Sequence, residues 1–117
     1  MTKIERMAIA IMEWEGYSKG SVSYRNNNPG NIKSAGWAKA VGTDQGGHAV
    51  FESFNDGWDT LIVMLTRAAS GKSKIYKPDM TFRRFFNIYA EQSVGYAEFV
   101  AARLGVSTGK RLEWLLT

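Results

Sequence analysis

The chain has 117 residues, 44% hydrophobic and 22% charged, the make-up of one globular domain with a core of its own and too little for two comfortable ones. It has no cysteine and a single histidine, His48, which leaves no basis for disulfides, a thiolate nucleophile or a zinc site, so neither metal nor cofactor is expected. The net charge of +4 suits an anionic partner, yet the basic residues are scattered and match no nucleic-acid motif, so nucleic acid is not the expected partner.

The first predicted helix runs from Thr2 to Glu15. Ile4, Ala8, Ile11 and Glu15 recur at intervals of four, three and four and share one face, bordered by Met7 and Met12. Glu13 falls on the far, solvent side with Arg6 and Ala10. Tyr17 to Gly36 is rich in Ser, Asn and Gly and is predicted as loop or short irregular strand. Trp37 to Phe54 reads as a hairpin, with its turn between Gly42 and Gly47 and a returning strand from His48.

Ser53 or Asn55 caps a helix over Asp56 to Ser70, with Asp56 in its first turn. Trp58, Leu61, Ile62, Val63, Met64, Leu65, Ala68 and Ala69 make it apolar nearly all round, which predicts central burial. Gly71 ends it, and Lys72 to Pro78 is a basic connector. Thr81 caps a helix with Phe82, Phe85, Phe86 and Tyr89 at i, i+3, i+4 and i+7. Ser93 caps another, with Ala97, Val100, Ala101 and Leu104 inward and Gly105 as its stop. Ser107 opens a last short helix holding Leu112, Leu115 and Leu116. The expected fold class is α+β, mostly helical, in a single domain over residues 1–117. No apolar run approaches the ~20 residues that span a bilayer, and the start makes a poor signal peptide, so neither membrane insertion nor a leader is expected.

Two features carry chemistry. Glu15 closes the first helix, where unpaired carbonyls already bear partial negative charge. That repulsion, in an apolar surround, disfavours the ionised form and predicts a carboxylic acid able to protonate a glycosidic oxygen. The alternative is a side chain that frays into solvent. The second feature is Arg25-Asn26-Asn27-Asn28-Pro29-Gly30-Asn31-Ile32, a tight turn dense in neutral amides that suit sugar hydroxyls and N-acetyl groups. The alternative there is a loop whose asparagines bond their own backbone. Tyr24 and Trp37 flank it as faces for stacking on sugar rings, or as ordinary packing at the hairpin edge.

Glu15-Gly16, the arginine–triple-asparagine string, Ala49-Val50-Phe51 with Asp56-Gly57, Tyr89-Ala90 and Tyr96 to Val106 occur in this order. This resembles the phage-type lytic transglycosylase and endolysin branch of the lysozyme-like superfamily, over roughly Ile4 to Val106. The resemblance implies a small helical domain with a β-hairpin lobe and a cleft for peptidoglycan glycan strands. It implies Glu15 as the catalytic acid, with Arg25, Asn26, Asn27, Asn28 and Asn31 in the loop beside it. Tyr89 matches a tyrosine near the substrate N-acetyl group, although Ala90 and Glu91 depart from the asparagine and glycine usual after it. His48 stands where related sequences tend to carry an aromatic residue. A monomer is expected, made in the cytoplasm and brought to the cell wall or periplasm by a holin, a virion or a secretion machine.

A two-carboxylate glycosidase needs a second acid across the scissile bond. No acidic residue lies between Glu15 and Asp44, which leaves Asp44 and Glu52 as candidates and Asp56 as a helix-start charge. The chemistry expected is therefore cleavage of the bond between N-acetylmuramic acid and N-acetylglucosamine by one general acid, in the transglycosylase manner. A hydrolytic muramidase and a wall-binding module without catalysis are the alternatives.

Overall fold

Thr2 and Glu5 start the chain's first helix by exchanging hydrogen bonds: Glu5 N–H donates to Thr2 Oγ1 at 3.0 Å and Thr2 N–H to Glu5 Oε1 at 2.8 Å. Two otherwise orphaned donors are satisfied this way, and the Thr2 bonds hold the Glu5 carboxyl below its ordinary value. Helix α1 then spans Lys3–Trp14 in the computed structural model, which describes residues 1–33, 36–91 and 93–117. The order that follows is α2 (Val22–Arg25), β1 (Ala40–Thr43), β2 (Ala49–Phe51), α3 (Phe54–Ser70), α4 (Phe82–Tyr89), α5 (Tyr96–Leu104) and a 3-10 helix (Leu112–Leu116). The architecture among the described residues is α+β and mostly helical. No helix among them is long and apolar enough to cross a membrane.

The chain divides into two units, residues 1–10 with 64–117, and residues 11–63. The first is built on aromatic rings. Thr81 caps α4 by accepting from Arg84 N–H at 3.1 Å, and the helical spacing then turns Phe82, Phe85 and Phe86 wholly inward. Phe86 stacks on Tyr96 of α5 with centroids 4.4 Å apart, and Phe85 packs on Tyr76 at 4.5 Å. Each fully buried phenylalanine contributes about 1.5–3 kcal/mol through the surface it removes from water. The 3-10 segment is tied to the entry of α4 by Phe82 N–H to Lys110 O and Leu112 N–H to Met80 O, both 2.9 Å.

The second unit holds the hairpin. Ala40 faces Phe51, Gly42 faces Val50 and Thr43 faces Ala49, so Val41 is the extra residue of a bulge. Ser53 caps α3 by accepting from Asp56 N–H at 3.1 Å.

Several expectations need correction. Ala10 is 1% exposed rather than facing water, because α1 is enclosed well beyond one stripe: Met7, Ala8 and Ile11 are buried too. Helix α3 buries a single face, Leu61, Met64, Leu65, Ala68 and Ala69, while Val63 is 49% exposed; being apolar all round did not make it central. Residues 22–25 form a helical turn inside the stretch read as loop, since Ser21 caps it by accepting from Tyr24 N–H. Gly95, not Ser93, caps α5, because the Ser93 hydroxyl donates to Asn87 Oδ1 at 3.2 Å. The last helix is a 3-10 turn over Leu112–Leu116 that opens after Arg111, not at Ser107.

Candidate functional site

The end of α1 is set by Gly16. Its φ of +68° permits the left-handed cap, in which Tyr17 N–H donates to Met12 O at 3.2 Å and Gly16 N–H to Glu13 O at 3.1 Å. Glu15 is therefore the C-cap residue, at the negative end of the helix dipole, and is half-buried; Glu13 is exposed. Asn31 reaches that carboxyl, with Nδ2 3.4 Å from Glu15 Oε1.

The asparagine loop is bonded along the edge of β2 that β1 leaves open. Phe51 N–H donates to Asn26 O at 2.9 Å and Ala49 N–H to Ile32 O at 2.8 Å. The carbonyls of the same two residues are taken by side chains: Asn27 Nδ2 donates to Phe51 O at 2.9 Å and Asn28 Nδ2 to Ala49 O at 3.0 Å. Asn28 also donates to Ile32 O and accepts from Ile32 N–H, both at 2.9 Å, and it is wholly buried. Asn27 and Asn31 sit at φ +52° and +51°, the left-handed region that asparagine tolerates best among residues with a side chain. Expected as ligand contacts, Asn27 and Asn28 instead commit their amides to β2, and Asn28 has no surface left to offer a sugar.

Asn26 turns the other way, donating to Asp44 Oδ2 at 2.9 Å. Asp44 Oδ1 accepts from His48 N–H at 2.8 Å, and Oδ2 lies 3.2 Å from His48 Nδ1. These bonds, the one from Asn26 first, pull the Asp44 carboxyl down to about 2. So weak a base is ill suited to activating water near neutral pH, and both oxygens are already engaged in the hairpin turn. Glu52 is exposed just past β2.

Arg25 and Tyr24 are exposed on α2. Tyr24 packs on Tyr17 at 5.3 Å, Tyr17 on Phe54 at 5.4 Å, and Phe54 stacks on Trp58 at 6.1 Å, giving an aromatic row on this unit. Burial first, then the Tyr24 neighbour, raises the Tyr17 phenol above its ordinary value. Trp37 is half-buried and lines a cavity of about 160 Å³ with Lys39, Asp59, Thr60 and Val63. Tyr89 belongs to the other unit, half-buried, with its ring stacked on Phe85 at 5.4 Å and edge-on to Tyr96 at 6.2 Å. No cluster of three or more histidine, aspartate or glutamate side chains among the described residues could hold a metal ion.

Gly57 is the positioning residue that the helical pattern hid. A Cβ there would lie 1.8 Å from the Asn27 carbonyl oxygen, so the loop rests directly on the backbone of α3. The available signal was a glycine inside a helix, unfavourable by about 1 kcal/mol unless a close approach requires it. Compared with family models, with curated proteins and with solved structures, the chain matches none.

Proposed function

We propose that this chain is a lysozyme-like enzyme, a single domain over residues 1–117, that cleaves peptidoglycan glycan strands between N-acetylmuramic acid and N-acetylglucosamine. The observation that carries the reading is the meeting of its two chemical motifs: the amide of Asn31 at the carboxyl of Glu15, on a helix end that disfavours negative charge. Glu15, as the acid, donates its proton to the glycosidic oxygen, and the bond from that oxygen to the anomeric carbon breaks. The substrate's own N-acetyl oxygen stabilises the cation that develops, as in substrate-assisted glycosidases. Glu15, now a carboxylate, takes the proton of the 6-hydroxyl of the muramic residue, whose oxygen closes onto the anomeric carbon as an anhydro ring.

The lytic transglycosylase route is favoured over hydrolysis by Asp44, a carboxylate already spent on the hairpin turn and held at about 2. Within the unit that holds Glu15, exposed Arg25 and Tyr24 and half-buried Trp37 are the groups offered to the glycan. Delivery to the wall by a holin, a virion or a secretion machine belongs to the same proposal. The test is clearing of purified sacculi by Glu15→Gln. Expected is a loss of at least ~100-fold with the fold intact, the usual reach of a general acid. Clearing close to that of the parent sinks the proposal.

A further inference from the structure

We infer that Asn31 is a positioning residue that orients the Glu15 carboxyl, kept at that place against its own local stability. The inference rests on Glu15 being the acid proposed above. Three observations bear on Asn31, and the first and third set it apart from its neighbours. Its Oδ1 is buried and accepts no hydrogen bond from the protein, a condition shared by no other buried side-chain polar atom among the described residues. Its backbone sits at φ +51°, where a glycine would sit without strain. Its one side-chain bond, at 3.4 Å, goes to a carboxyl rather than to backbone.

Asn27 shares the left-handed backbone, yet its amide reaches Phe51 O at 2.9 Å, and Asn28 is saturated by three bonds. Those two asparagines account for the shape of the loop. Left-handed backbone comes with the shape of the loop, as Asn27 shows, but a residue serving shape alone would not carry an orphaned oxygen, and such a cost collects where a site demands it. The geometry supplies the demand. Donation from Nδ2 to Oε1 fixes how the carboxyl is turned when it gives its proton to the leaving group. After transfer, the same donor steadies the carboxylate for its turn as base.

The experiment compares Asn31→Gly, Glu15→Gln and the parent, full-length, for melting temperature and for kcat and KM on sacculi. Asn31→Gly is expected to melt no lower than the parent, since an unpaired oxygen and a strained φ are removed together. Its kcat is expected to fall on the order of 10-fold or more with KM little changed, because a misplaced acid slows the chemical step. Side-chain scalar couplings of Glu15 should report one rotamer in the parent and averaging in Asn31→Gly. Parental kcat in Asn31→Gly beside an inactive Glu15→Gln overturns this inference alone. So does an Asn31→Gly that loses activity and melting temperature together, the pattern of a structural role. Parental turnover by Glu15→Gln removes the proposed function and this inference with it.

Discussion

The two units are held together by different forces. Residues 1–10 and 64–117 are organised by rings against rings, with Phe82, Phe85, Phe86 and Tyr96 fully buried. Residues 11–63 are organised by amides against backbone, with the Asn27 and Asn28 side chains and the Asn26 carbonyl completing the open edge of a three-residue strand. A two-stranded hairpin is marginal alone, and its open edge must be covered. The asparagine loop covers it and leaves Asn31 turned toward Glu15. In the first unit volume decides stability; in the second, hydrogen-bond satisfaction does.

Substitutions of matched size separate these two regimes most strongly. Phe86→Ala is expected to destabilise by about 3–5 kcal/mol and Phe86→Leu by much less, because a leucine refills most of the cavity. Asn28→Leu, nearly isosteric, should be as damaging as Asn28→Ala. Either one strands the buried Ala49 carbonyl and the Ile32 N–H, at about 1–3 kcal/mol each, while Ile32 O keeps its bond from Ala49 N–H. Chemical denaturation of the four variants checks this, and a mild Asn28→Leu would break the contrast. Next in size is Gly57→Ala, whose Cβ must push Asn27 off α3; overpacking of this kind costs about 1–3 kcal/mol. Thermal melts read the loss, and an unchanged melting temperature would mean that the loop does not rest on that helix.

The smallest effect is confined to acid. The Asp44 carboxyl is depressed from 3.8 to about 2, so its stabilisation is fully present above pH 3.8 and is lost as the pH falls through about 2. Melting curves of the parent should therefore drop across that window. Asp44→Asn should lack that part of the drop.

The first unit was legible in the sequence because its information is periodic. Phe82, Phe85 and Phe86 at helical spacing, Thr81 as cap and Gly105 as stop all lie where the pattern places them. The hairpin and its turn were legible from Gly46-Gly47 and the strand after it, although the strands are shorter than read. What composition could not give was the direction of each amide. Asn26, Asn27, Asn28 and Asn31 are chemically identical, and tertiary contacts alone send one to Asp44, two to β2 and one to Glu15. The turn of helix at Val22–Arg25 was hidden for a related reason, since a serine that looks like loop composition is its cap. Ala10 was misplaced because a helical wheel shows one stripe and not how far a helix is enclosed.

Mass spectrometry of fragments released from purified sacculi reads the one-acid chemistry of Glu15 most directly. Muropeptides ending in an anhydro ring, lighter by one water than the hydrolysed form, are the expected product, absent from a Glu15→Gln digest. Fragments with reducing ends alone, or anhydro products undiminished in Glu15→Gln, would contradict it.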